Sequence, residues 1–156
     1  MPCLNQRCGL RNDMRVGLAL ISILAAQSIA VSEAQSPSII GTWNVEITFP
    51  NSEHRSVRFE AAADGKGTLA SADPRSKVWG GSKPAGAHWS QSAQNSISFS
   101  GPVEFLLGNV GRDAGTLTCT GKFEPPGTIT GEVEFSPLVG ERPSKHGTFK
   151  AVRATK

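Results

Sequence analysis

Tyrosine is absent from this 156-residue chain, and cysteine occurs only three times, at Cys3, Cys8 and Cys119. Phenylalanine and tryptophan make up 6% of the residues, too few for rows of aromatics interleaved with basic side chains, the platform on which nucleic-acid bases stack. No apolar run reaches the roughly 20 residues that a membrane-spanning helix requires. No Gly-x-Ser-x-Gly, Walker or Rossmann pattern occurs, and none of the three histidines belongs to a His-x-His or Cys-x-x-Cys ligand spacing. Nucleic-acid binding, nucleotide cofactors, a zinc site and a membrane span are therefore not expected.

What the N-terminus does contain has a recognisable order. Arg7, Arg11 and Arg15 precede an apolar stretch over residues 16–31 that holds Leu18, Leu20, Ile21, Ile23, Leu24 and Ile29 and no acid. A basic flank, a short apolar run and small residues after it are the three parts of a secretory signal. The preferred cleavage point follows Ser32-Glu33-Ala34. This predicts a signal peptide over residues 1–34, a polar linker over 35–38 and a single domain over 39–156, exported to a periplasmic or extracellular space. Cys3 and Cys8 leave with the peptide, so the domain keeps Cys119 alone and has no internal disulfide. It also keeps 13 basic and 11 acidic residues, scattered along the chain, so the overall basicity carries no nucleic-acid footprint.

From Ile39 onward apolar residues fall at every second position. Trp43, Val45, Ile47 and Phe49 share a parity, as do Val57 and Phe59, then Ile97, Phe99, Val103, Phe105 and Leu107. Leu117, Cys119 and Phe123 follow, and then Ile129, Val133 and Phe135, with Thr, Glu, Lys and Asn between them. Period two with one wet face specifies antiparallel strands. Turn signals at Asp64-Gly65, at Gly111 to Gly115, at Pro125-Pro126-Gly127 and at Lys145-His146-Gly147 divide them. The expected fold is all-β, a small up-and-down barrel of about eight strands, with a β-sandwich as the alternative.

Parity also sets registers. A hairpin centred on Pro126 pairs Phe123 with Ile129, Cys119 with Val133, Leu117 with Phe135 and Gly121 with Gly131. The paired glycines mark either a bend or a niche where a ligand approaches the backbone. A second hairpin, centred on Pro84, would set Trp79 across from Trp89 and Gly80 across from His88, with the glycine-rich segment around it acting as a flap.

Gly41-Thr42-Trp43 just after the linker, with Arg153 on the parity of Phe149 and Ala151, resembles the calycin superfamily of lipocalin-like barrels. There a Gly-x-Trp opens the first strand and a basic residue of the last strand packs over the Trp to close the barrel's base. The resemblance implies a barrel with Trp43 and Arg153 in structural roles. The Thr-Asp-x-x-Tyr motif of lipocalins is missing. Small bacterial metalloprotease inhibitors are similar in another respect, as secreted barrels with a short arm before Gly-x-Trp.

The functional expectation is a non-catalytic barrel that holds a small apolar or amphipathic ligand without cofactor or metal. Its wall would be Trp79, Trp89, His88, Phe99, Phe105, Gly121 and Gly131, on the argument that small-molecule pockets are largely apolar with a few polar groups. A protein-binding module, such as a protease inhibitor using residues 35–40 as its arm, is the first alternative. A barrel isomerase or cyclase, which needs polar groups converging inside, is the second.

Overall fold

A computed structural model of the chain describes residues 37–74, 83–92, 95–108 and 111–155, all within the second of two units, Ala34–Lys156. The proposed signal peptide and Trp79 lie outside the described residues. Eight antiparallel strands follow one another: β1 Gly41–Phe49, β2 Glu53–Ala61, β3 Lys66–Ser71, β4 Ala85–Gln91, β5 Ser96–Leu107, β6 Gly111–Glu124, β7 Thr128–Pro137 and β8 Lys145–Arg153. Each pairs with the next, and β8 returns to β1, so one sheet closes on itself in a ring. A three-residue 3-10 turn, Pro50–Ser52, joins β1 to β2. No helix among the described residues is long and apolar enough to cross a membrane.

The alternation read from the sequence becomes the inside and outside of this ring. Trp43, Val45, Ile47, Phe49, Val57, Phe59, Ile97, Phe99, Leu117, Cys119, Ile129 and Phe135 are all buried in one core. An eight-stranded ring is just wide enough for side chains to fill, and here aromatic rings fill it. Phe59 stacks on Phe99 at 4.3 Å between centroids, and Phe99 meets Phe149 edge-on at 5.6 Å. Leu107, expected inward, stands exposed at the last position of β5.

The β6–β7 hairpin has the register that parity predicts, with Leu117 opposite Phe135, Cys119 opposite Val133, Gly121 opposite Gly131 and Phe123 opposite Ile129. The hairpin on Pro84 is different. Both flanks of β4 are taken, so His88 faces Lys66 of β3 on one side and Ser100 of β5 on the other, and Trp89 pairs with Phe99. Two expected turns are also strand. Gly111 to Gly115 begins β6 and Lys145-His146-Gly147 begins β8. At Gly115 the cause is packing, since a Cβ there would run into the Phe135 ring. The turn before β8 is instead the loop over residues 138–144.

Because strands alternate in direction, the ring has two unlike rims. One carries the starts of β1, β3, β5 and β7 and is termed the N-terminal rim; the opposite rim carries their ends.

Candidate functional site

The N-terminal rim is sealed. Ile39 is fully buried, and its carbonyl accepts a 2.6 Å hydrogen bond from the Trp43 indole N–H. Arg153 lies opposite Trp43 in register, holds its guanidinium 4.6 Å from the indole ring and donates to the carbonyls of Ser38 and Ile40. Gln91 adds two bonds, accepting from the Ile39 N–H at 3.1 Å and donating to the Pro37 carbonyl at 2.6 Å. The described part of the expected protease-binding arm is thus pinned to the ring, its carbonyls occupied by side chains of β1, β4 and β8.

The wall residues expected from the sequence do not gather in one place. Trp89 closes the same N-terminal rim, its indole N–H donating to the carbonyls of Ala62 and Lys66 at 2.9 and 2.7 Å. His88 is exposed on the outer face. Phe99 lies in mid-core, and Phe105 lies six residues further along β5, roughly 20 Å away at the opposite rim. Gly121 and Gly131 leave no open niche, because the Phe149 ring packs over Gly121 and Gly131 pairs with Phe149. A Cβ on either glycine would strike a backbone carbonyl of the partner strand, so the pair serves a close approach of β6 and β7.

At the opposite rim the inner face turns from apolar to charged. Arg55 donates through Nε and Nη2 to Glu53 Oε1 at 3.0 and 2.7 Å and stands 3.9 Å from Asp73. Glu53 reaches Lys145 at 3.2 Å, Lys145 stands 3.9 Å from Asp113, and Asp113 receives two bonds from Arg142 at 2.6 and 3.3 Å. Cations and carboxylates alternate around the rim, Asp73, Arg55, Glu53, Lys145, Asp113, Arg142. Phe105 and Phe49 lie beneath, 5.5 Å from Arg55 and 6.0 Å from Lys145. Asp113 is buried, its side chain 2% exposed, a costly place for a carboxylate without paired cations. Burial pushes the Glu53 carboxyl up, but hydrogen bonds and charge from Arg55 and Lys145 outweigh it and hold the group below its ordinary value.

The direction of these side chains is legible by parity. Glu53 and Arg55 precede Val57 and Phe59 in step, Asp113 precedes Leu117, and Lys145 precedes Phe149. Their charge suggests water, yet the pleat sets where they point.

Beside this rim the ring has a seam. β4 begins at Ala85, directly after Pro84, which has no backbone N–H to offer a ladder. Its ladder with β5 spans Gln91 to His88 only, so among the described residues no strand is paired with that flank of β5 beyond Ser100, although Gly86 and Ala87 still lie against Gly101. Arg55 bridges part of the gap, donating to the Leu106 carbonyl at 2.9 Å. A groove of about 470 Å³ opens here. Its apolar wall includes Leu69 and Val103, both core residues, with Ala85, Pro102, Ala114 and Leu138, while Lys83, Glu104 and Arg112 supply charge. Glu104 and Arg112 form a 2.9 Å ion pair. Leu138 is 65% exposed and held by its N–H to the Ala114 carbonyl at 2.9 Å.

No group of three or more His, Cys, Asp or Glu among the described residues is arranged to hold a metal ion. Comparison with protein-family models, curated proteins and solved structures finds no match to the chain.

Proposed function

We propose that the chain is an exported, non-catalytic, lipocalin-like barrel that binds a small amphipathic ligand at the seam between β3 and β5, not along the axis of the ring. One observation carries the reading: the groove is walled by Ala85, Pro102, Ala114 and the largely exposed Leu138, with the core residues Leu69 and Val103 at its floor, so a ligand there would cover exposed apolar surface, that of Leu138 above all. Its volume falls in the range of small-molecule sites, roughly 300 to 1,000 Å³. Lys83, Arg112 and Glu104 would orient a polar end, and the apolar walls would take the rest. The aromatic filling of the ring supports this placement over an axial one.

The test is a titration with N-phenyl-1-naphthylamine, an apolar dye that brightens when shielded from water. The expected result is saturable enhancement at one dye per chain, abolished by Ala114→Trp, which fills the groove, and unchanged by Thr148→Trp on the far outer face. No enhancement, or enhancement that survives Ala114→Trp, rejects the groove as the site.

A further inference from the structure

The backbone of β5 along the seam is not fully used. Successive residues of a strand turn their N–H and C=O to opposite flanks. Just before β5 the Asn95 carbonyl accepts from the Phe123 N–H of β6, whereas the Ser96 carbonyl accepts from Ser92 and the Leu106 carbonyl from Arg55, on the other flank. Every even-numbered residue from Ser96 to Leu106 therefore faces the flank that β4 first occupies and then leaves.

The departure is written in two prolines. Continued past His88 and Ser100, the register would bring Gly86 to Pro102 and Pro84 to Glu104. Pro102 has no N–H to return to Gly86, and Pro84 has none to give to Glu104. Among the described residues the Glu104 N–H and C=O and the Leu106 N–H are left without a partner, while Arg55 takes the Leu106 carbonyl. Donor, acceptor and donor thus stand in order along one open edge.

We propose, taking the seam groove as the binding site, that its ligand is the carboxy-terminal end of an extended peptide, paired to β5 where β4 leaves it. A peptide backbone complements this order of groups, and strand addition to an open edge is a general mode of peptide capture. A fatty chain would cover the groove and leave the same groups unpaired. A peptide residue opposite Glu104 shares its outer face, and the residues on either side of it turn inward with Val103, so polar and apolar side chains alternate. Running antiparallel to β5, the peptide ends toward the start of β4, where Lys83 lines the groove and makes no ion pair among the described residues. Glu104 is paired with Arg112, so Lys83 is the cation that complements a terminal carboxylate.

The experiment is amide hydrogen exchange of the ¹⁵N-labelled chain with and without acetyl-Thr-Val-Thr-Val. The Glu104 and Leu106 amides are expected to exchange readily in the free chain and to slow by roughly tenfold or more at saturating peptide. The same peptide with a terminal amide should bind about fivefold more weakly, and Lys83→Gln should bind the two forms equally. A peptide N-methylated along its backbone keeps the side chains and the carboxylate and should give no protection. Glu104→Pro repeats what Pro102 does two residues earlier, removing one seam N–H while the ladder with β6 stays intact. It should abolish protection at Leu106, whereas Glu104→Gln should retain it. Slow exchange at Glu104 and Leu106 before peptide is added, as pairing with residues 75–82 or with a second copy would give, overturns the assignment. Protection by the N-methylated peptide, or protection that survives Glu104→Pro, does the same. Saturable dye binding without protection by any peptide rejects the peptide and leaves the groove as a site, and loss of both rejects both.

Discussion

Arg153 and Trp43 face each other across the β1–β8 ladder, and the guanidinium that covers the indole is also the donor that ties the chain before β1 to the ring. One side chain thus closes the rim twice, by a cation over an aromatic face and by hydrogen bonds to the carbonyls of Ser38 and Ile40.

Replacing it with methionine keeps the stem and removes both. A cation–π contact at a partly exposed site is worth about 0.5 to 2 kcal/mol, and a hydrogen bond to a charged group about 1.5 to 3 kcal/mol when buried, less here because the pair is solvated. Arg153→Met should cost about 2 kcal/mol in urea unfolding. Amide exchange of Ile39 and Ile40 should accelerate more than that of Cys119. An unchanged exchange rate at Ile39 would show that the arm is held without Arg153, by the burial of Ile39 and its bonds to Gln91.

Gly121 supplies a sharper case, because its hydrogen is enclosed by the Thr130 carbonyl and the Phe149 ring. Gly121→Ala forces the strands apart, and overpacking of this kind costs about 1 to 3 kcal/mol. Gly86 sits in β4 with nothing within 4 Å of where a Cβ would stand, so Gly86→Ala should be neutral or stabilising by roughly a few tenths of a kcal/mol. Thermal unfolding of the two variants side by side checks this. A neutral Gly121→Ala would mean that Phe149 can retreat.

The strands and the β6–β7 register are readable because each rests on a side-chain alternation that backbone pleating enforces. Phe123, Cys119 and Leu117 can face only Ile129, Val133 and Phe135 once the turn is centred. β3 leaves little trace because Leu69 is its one large apolar residue, among Lys66, Gly67, Thr68, Ala70 and Ser71. Without β3 in view, β4 has no partner before it, and the sequence matches Trp89 to Trp79, whereas the fold places it between β3 and β5. The groove depends on where β4 starts, which is a matter of backbone pairing lost at Pro84 and leaves no period in the sequence. The charged rim is the opposite case, since Arg55 and Asp113 obey the parity of their neighbours and only their charge argues against burial.

Cys119 lies in mid-core between Phe99 and Val133, and burial pushes its thiol above the ordinary cysteine range. The thiolate is the reactive form, so Cys119 should resist a disulfide-exchange reagent at pH 8 and react only as fast as the fold opens. Labelling of Cys119 by an aromatic disulfide, read in a chain with Cys3 and Cys8 replaced by serine, should follow the global unfolding rate as urea is raised. Rapid labelling of Cys119 in native buffer would contradict the buried placement.

Glu53 gives the fold an acid-sensitive point. Its carboxyl titrates below its ordinary value of 4.5 in the folded chain because Arg55 and Lys145 favour the ionised form more than burial disfavours it. A depressed carboxylate binds fewer protons folded than unfolded, so its contribution is complete above the unfolded value and is lost as pH falls through the folded one. Stability measured by urea midpoint should therefore decline below about pH 4.5 more steeply in the natural chain than in Glu53→Gln, while Glu53→Gln should be the less stable of the two at pH 7. The same acidification frees Arg55 from Glu53, and with it loosens the bridge to Leu106 that spans part of the seam. Dye binding at the groove should change over that pH interval in the natural chain and stay flat in Glu53→Gln. Parallel pH profiles in the two proteins would show that Arg55 holds the seam without its glutamate.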